Sequence, residues 1–552
     1  MHWLTLALLA LPVAYLVQKS LQLYRNYLLV RKTGFQYLIC PVDTVSPVWI
    51  IVGPIFLKQL ERHLPDWLWQ PIRFTIYGWE FRSGYEPHEK YGPVFMMATA
   101  GHPELFVADP DVAHDILKRP NDFIMSDAGQ LILGKFGDNL LLAQGKTWER
   151  MRRFIAPLIN ERISATVFQE TKAQAEQMIR HLESVKGATN DAAEGLKQIA
   201  VNVLGAAGYG KPRAWSTGDD EEKPSPGFHV TYVQAVRYLM DNLIEMAFVP
   251  TRILLLPFMP HRLNQTAHSI KELTALTRQL LDEERNAPNS AGARANIVKL
   301  LVQEQNATEK GTITLQDDEI VGNMFIFSAA GTDTTANTMA YAIFLLAGYP
   351  EWQDWIIEEI DEVLAGKTDE LEYTDIHPKL IRTLALMYET LRLFAPLTHI
   401  ARTTTSPKTI TTSAGHTHTI PAHCNIYLNS YALQCDPAVW SDSAPPQTFH
   451  PPRFVAFDPT THKPSIKPLR KGSFLAWSAG PRICPGQKMS QVEFVTTFMM
   501  LFRRYRVEVA LEEGEDVESG LARVRGAMKD SFPRLTMQMN RPEDVTLRFV
   551  AR

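Results

Sequence analysis

Wound as a helix, the stretch from Thr314 to Gly348 is apolar on nearly every side, with Val321, Met324, Phe325, Phe327 and Ala329 spread around its circumference. A helix apolar all round has no face to give to water and must be sheathed by other elements. Thr314-Leu315-Gln316-Asp317 reads as a capping-box-like start, Asp317, Asp318 and Glu319 favour the positive end of the helix, and Gly348 with Pro350 stops it. Such a helix is about 48 Å long at 1.5 Å per residue, enough to cross a whole domain. Helical periodicity dominates elsewhere too, while strand-like alternation is confined to Val94–Met97, Thr409–Asn429, Tyr505–Leu511 and Val545–Val550. The expected class is therefore mainly α (α+β), a helical body with small sheets at its edge. The polar breaks Ser216–Gly227 and Asn286–Asn296 are expected to be surface loops between helices.

In the middle of the long helix lies Ala330-Gly331-Thr332-Asp333-Thr334-Thr335, and a polar cluster inside a buried helix needs a reason. Gly331 thins the helix wall, and Thr334 can bond back to the carbonyl of Ala330, so both are expected to make room for a small ligand. Asp333 beside Thr334 sets an acid next to a hydroxyl, as a proton relay from solvent requires. The competing reading of the stretch alone is a small-residue helix crossing with a solvated aspartate.

Trp477-Ser478-Ala479-Gly480-Pro481-Arg482-Ile483-Cys484-Pro485-Gly486 presents one cysteine on a tight loop that opens into an apolar helix. A cysteine ligates metal as the thiolate, so the surroundings must offset the cost of charge, and the loop looks built to hold a thiolate on iron. Arg482 offers positive charge, the turn can aim N–H groups at the sulfur, and Gly480 and Gly486 are expected to let the backbone pass close to a large flat group. The competing reading is a buried structural cysteine in a proline-glycine turn. The loop resembles the heme-ligand loop of the cytochrome P450 family of heme-thiolate monooxygenases, with Trp477 standing where that family usually has phenylalanine. The resemblance implies heme b with Cys484 as its axial ligand, Trp477, Arg482 and Gly486 at the heme, and Asp333 and Thr334 as the family's acid-alcohol pair.

Three weaker motifs follow in the same family order. Glu389 and Arg392 are three residues apart on one helix face, and Phe449-His450-Pro451-Pro452-Arg453-Phe454 places Arg453 in a rigid loop. Together they resemble the family's Glu-Arg-Arg triad, which implies a structural role for Glu389, Arg392 and Arg453. Trp148 and Arg152, four apart, suit an anionic propionate and are similar to the family's Trp-x-x-x-Arg, with Arg402 a further candidate. Lys146, Arg150, Arg153, Lys471 and Lys488 are candidates for a cationic face toward an acidic reductase domain. His416 and His418 share a strand face, yet with no third ligand nearby they read as surface histidines rather than a metal pair.

The 552 residues, 45% of them hydrophobic, carry a net charge of −4, which argues against nucleic acid or a basic membrane tail. Cys40, Cys424, Cys435 and Cys484 are too sparse for a disulfide framework or a Cys-x-x-Cys zinc site. Met1 to Val17 is nearly continuously apolar, and Lys19, Arg25, Arg31 and Lys32 follow it. Residues 1–23 are accordingly expected to be a transmembrane signal anchor, 24–60 a membrane-proximal linker and 61–552 the catalytic domain, facing the cytosol from the endoplasmic reticulum membrane. Val48–Leu57, broken by Gly53 and Pro54, is expected to lie along the membrane, and Ile253–Met259 is either a second such segment or a buried loop. The sequons at Asn264 and Asn306 would be unused on the cytosolic side.

The resemblance implies an enzyme that takes electrons from an NADPH-cytochrome P450 reductase and inserts one oxygen atom of O2 into a lipophilic small molecule. Phe123, Leu131, Leu397 and Ile400 are expected to line the pocket, and the overall texture is similar to fungal members that tailor secondary metabolites. A heme-thiolate isomerase or dehydratase, and a non-enzymatic heme sensor or carrier, are the alternatives.

Overall fold

The computed structural model describes residues 2–126, 129–130, 133–216, 223–286, 295–307, 315–367 and 370–552, with side chains from residue 11 onward except at 244, 306 and 307. Thr314, Leu131 and most of the loops expected at 216–227 and 286–296 lie outside these residues. The chain forms two compact units, one from residues 1–128, 397–448 and 469–483, the other from residues 129–396, 449–468 and 484–552.

The first unit is organised by a mixed sheet. Helix α1 (His2–Arg31) leads into β1 (Tyr37–Ile39), then β2 (Val94–Ala98) and β3 (Pro103–Val107), helix α2 (Pro110–Lys118), β4 (His399–Thr403), the hairpin β5 (Lys408–Thr411) and β6 (Thr417–Ile420), and β7 (Asn425–Asn429). The sheet order is β1-β2-β3-β7-β4, with β1 parallel to β2 and β3 parallel to β7. Alternate residues of β2 and β3 feed two cores: Met96 and Leu105 pack with Ile426 and Leu428 on one face, Phe95, Met97 and Phe106 with Phe74 and Trp79 on the other. Burial on both faces accounts for the unbroken apolar run of β2, whereas β3 carries the buried Glu104.

α1 runs straight through the boundary expected at residue 23. Its last turns are docked, with Val30 fully buried and the Asn26 amide donating to the carbonyls of Thr99 and Gly101 at 2.9 and 3.1 Å. Among the described residues no helix is long and apolar enough to cross a membrane, so the anchor expected over residues 1–23 is not shown. Val48–Leu57 forms no long helix: a nine-residue helix over Pro47–Ile55, with Pro54 in its last turn, stops at Phe56 and exposes Val48, Ile51, Val52 and Ile55. Ile253, Leu256 and Phe258 are exposed, which excludes the buried-loop reading of their segment.

The second unit is the helical body: α3 (Gly145–Ile155), α4 (Glu161–Ser184), α5 (Ala192–Tyr209), α6 (Tyr232–Asp241), α7 (His261–Asn286), α8 (Asp317–Gly348), α9 (Ile381–Leu393), α10 (Gln487–Phe502) and α11 (Val517–Lys529). α8 is the expected long helix, 32 residues buried along most of its length against α5, α9, α10 and α11. Its cap is Gln316, whose amide N–H donates to the Glu319 carboxylate at 2.9 Å in a reciprocal capping box. The expected late strands are present, Tyr505–Val509 pairing antiparallel with Leu547–Ala551. A hairpin of Ser531–Pro533 and Met537–Met539 is stapled to the body: the Tyr341 hydroxyl donates to Ser531 Oγ at 2.7 Å, and the Met537 amide donates to the Pro396 carbonyl at 2.8 Å.

Candidate active site

Cys484 stands two residues before Gly486, the residue that caps α10. It is the exposed one of the four cysteines, open on one side and crowded by protein on the others. That crowding pushes the thiol up, and three groups oppose it: the Gly486 N–H, the Arg152 guanidinium and the Gln487 N–H. Two backbone donors and one cation around a sulfur are the surroundings a thiolate needs. The cation in this unit is Arg152, where the sequence suggested Arg482. Gly486 has ordinary backbone angles, and a Cβ there would rest 3.8 Å from Cys484 Sγ in normal contact. Its N–H is one of the two backbone donors at the sulfur.

Arg152 follows Trp148 by one turn of α3, whose buried face is Trp148, Met151, Phe154 and Ile155. The indole anchors the helix in the core and leaves the half-buried guanidinium in reach of the sulfur; burial lowers the Arg152 pKa and the Cys484 charge raises it. Arg150 points elsewhere, pairing with Glu319 of α8 at 2.8 Å, and is therefore removed from the expected cationic face. Lys146, Arg153 and Lys488 of that set are exposed.

In α8 the Thr334 hydroxyl donates to the Ala330 carbonyl at 2.7 Å, the bond expected from the sequence. Ala330 is exposed and residues 331–334 half-exposed in an otherwise buried helix, so a window opens in its middle. Gly331 does not make that room, because a Cβ there would meet Leu204 of α5 at 3.2 Å; the missing side chain serves helix packing. Asp333 does not turn to Thr334 either, since neighbours on a helix diverge by about 100°. Its carboxylate accepts from the hydroxyl of Thr536, which in turn accepts from the Asn337 amide at 2.9 Å. Burial raises the Asp333 pKa, against the lowering effects of Thr536, Lys197 and Arg534, while Asp241 adds to the rise. Asp333 opens onto a cavity of about 530 Å³ lined also by Lys197, Leu204, Arg237, Asp241 and Ala329. Thr536 carried no signal in the sequence, being 203 residues from its partner in a hairpin of ordinary alternation.

The triad is fully assembled and buried. Arg392 donates to both oxygens of Glu389 at 2.7 and 2.8 Å, the Arg453 Nε donates at 3.2 Å, and the His450 amide donates at 2.8 Å. One carboxylate thereby fixes α9 and the short turn Pro451–Phe454 to each other.

The remaining predicted residues belong to the first unit. Arg402 on β4 is buried and donates to its own Ala401 carbonyl at 2.8 Å. Burial lowers the pKa of both Arg402 and Arg482 to about 10, and the Arg482 charge adds to the effect at Arg402, yet both remain charged at neutral pH. Two guanidinium groups close enough to repel suit an anionic partner. Trp477 packs on Phe474 at 5.9 Å. Gly480 is required by its φ of +68° and by α2, because a Cβ would lie 2.5 Å from the Leu117 carbonyl oxygen. Phe123 lies in the core of the sheet rather than on a pocket wall, Ile400 joins the same core, and Leu397 is exposed. His418 Nδ1 contacts the Thr33 carbonyl at 2.8 Å and its ring stacks on Phe35, as a structural histidine does.

Within the second unit these residues fit a heme held through sulfur: an exposed cysteine beside two backbone donors and a cation, and a helix window with a hydroxyl. That combination defines a heme-thiolate oxidoreductase. The chain belongs to the cytochrome P450 family, whose profile matches residues 80–529. It is similar to the phomenoic acid biosynthesis cluster cytochrome P450 monooxygenase of Leptosphaeria maculans, with 32% identity covering 89% of this chain and 90% of the relative. Cytochrome P450 monooxygenases of Penicillium roqueforti and Arthrobotrys oligospora are 27% and 26% identical, covering 92% and 98% of this chain and 93% and 97% of theirs. The protein is an enzyme of this monooxygenase class.

Proposed function

We propose that this enzyme inserts one oxygen atom of O2 into a lipophilic small molecule of fungal secondary metabolism, with Cys484 as the heme ligand and electrons from an NADPH-dependent reductase. The observation that carries the assignment of Cys484 is the ring of Gly486 N–H, Gln487 N–H and Arg152 charge around its sulfur. The relative's place in a biosynthesis cluster supports the metabolic setting. When bound, the heme supplies activation of O2, one oxygen going to substrate and the other to water.

Arg152, Gly486 and Gln487 hold the sulfur as thiolate. Trp148, Arg402, Trp477 and Arg482 bind and orient the heme, the arginines through its carboxylates. Thr334 presents its hydroxyl at the α8 window, and Asp333 takes protons from the adjoining cavity through a carboxyl whose pKa burial raises. Glu389, Arg392 and Arg453 hold the frame and touch no substrate. Attachment to the endoplasmic reticulum membrane belongs to the same reading, supported by exposed Leu11, Val13, Leu16 and Val17 on α1.

A reduced carbon-monoxide spectrum tests the ligand: a red-shifted thiolate Soret band is expected, and its absence in folded, heme-loaded protein refutes the assignment. Thr334→Ala should divert reducing equivalents into peroxide, whereas an isomerase or dehydratase would be indifferent. Membrane flotation of the chain with and without residues 1–31 checks attachment, which fails if both float alike.

A further inference from the structure

Away from the active-site residues, His229, His268 and Glu272 converge in a cluster that the oxidation chemistry does not use. His268 and Glu272 are one turn apart on α7, and His229 precedes by two residues Thr231, which caps α6. One ligand atom from each can be chosen so that all lie within 4.8 Å of one another. His229 Nδ1 is 2.6 Å from Glu272 Oε1, and His268 Nδ1 is 3.6 Å from the same oxygen. The His229 amide donates to the other oxygen, Oε2, at 2.8 Å, which orients the carboxylate with Oε1 toward the imidazoles. The two rings stack at 3.8 Å with 25° between their planes.

Zinc bound tetrahedrally at about 2.0–2.2 Å from nitrogen and oxygen separates its ligand atoms by about 3.3 Å. The two nitrogen–oxygen distances straddle that value, so small side-chain rotations complete the geometry. We propose that His229 Nδ1, His268 Nδ1 and the Glu272 carboxylate form a zinc-binding site with its fourth position open to water. Two neutral imidazoles and a carboxylate are a donor set zinc accepts, and the exposed His229 lets the ion enter. Bound zinc joins the start of α6 to α7. α6 also lines the cavity onto which Asp333 opens, and its Tyr232 hydroxyl lies 2.9 Å from Ser328 Oγ of α8. The ion would therefore stiffen a wall of that cavity from outside, independently of heme.

The test is a zinc titration of chelator-stripped, heme-loaded protein against a competing chromophoric chelator. One equivalent of zinc is expected to bind the wild type, with affinity falling at least tenfold in His268→Ala and in Glu272→Ala while the thiolate Soret band is unchanged. Hydrogen exchange across residues 223–231 should slow on adding zinc and should not in His229→Phe, which keeps a ring for stacking but no ligand. The proposal is overturned if no zinc binds, or if all variants bind it as the wild type does; loss of the Soret band alone would count against the heme ligand and not against this site.

Discussion

Glu389→Gln is the sharpest test of how the frame is held. The wild-type carboxylate accepts four donors at 2.7 to 3.2 Å, three of them from two guanidinium groups, and no group of the triad is more than 1% exposed. The substitution preserves volume and removes the one negative charge, leaving two buried cations facing each other. Hydrogen bonds to charged groups contribute about 1.5–3 kcal/mol each, and breaking a buried pair from one side costs about 3–5 kcal/mol. Because the three charged bonds share one acceptor they do not add, and a loss near the top of the 3–5 kcal/mol range is expected. Against a total stability of about 5–15 kcal/mol, this is a third of the margin or more. Thermal unfolding followed by the Soret band and by far-ultraviolet circular dichroism would show it as a large drop in midpoint. Asp544→Asn, which breaks the exposed Arg541–Asp544 pair at 3.3 Å, should leave the transition where it was. If Glu389→Gln behaves like that control, the triad is not what fixes α9 to Pro451–Phe454.

Burial raises the Glu104 carboxyl to about 8 from a usual 4.5, despite its bond from Thr44. Between those values the folded state keeps a proton the unfolded chain has lost, so stability should fall by about 1.4 kcal/mol per pH unit and level off above pH 8; Glu104→Gln should flatten urea midpoints across that window. Thr536→Val removes the donor that opposes burial at Asp333, so the pH at which turnover responds to this carboxyl should move up and Thr536→Ser should restore it; an unchanged profile refutes the pairing. Arg152→Ala should raise the Cys484 pKa, so that acid converts the reduced carbon-monoxide complex from its thiolate to its thiol band at a higher pH than in the wild type.

What could be read without coordinates was whatever depends on neighbours in the chain. The long helix, its stop at Gly348, the Thr334 to Ala330 bond and the Glu389–Arg392 pair all follow from helical spacing. Partners set by tertiary packing were invisible: Thr536 for Asp333, Glu319 for Arg150, Leu117 for Gly480 and Leu204 for Gly331. Both glycines carry the same lesson, since absence of a side chain signals a close approach without saying what approaches. His229 shows the limit again, because His268 and Glu272 sit at a legible four-residue spacing while their third member lies 39 residues upstream of His268.

The parallel pairing of β3 with β7 joins residues 104–107 to residues 425–428, and the first unit is complete only with residues 469–483. At about 5–20 residues per second, a ribosome takes roughly 15–60 s to pass from one of those strands to the other. Through that interval β3 has an open edge, and its apolar faces lack the cover of Ile426 and Leu428. Most of the helical body, residues 129–396, is synthesised in between, so the sheet must be closed from its far end after most of the chain has emerged. A polypeptide stopped before residue 425 keeps every residue of β1, β2 and β3 and still cannot finish the sheet they begin.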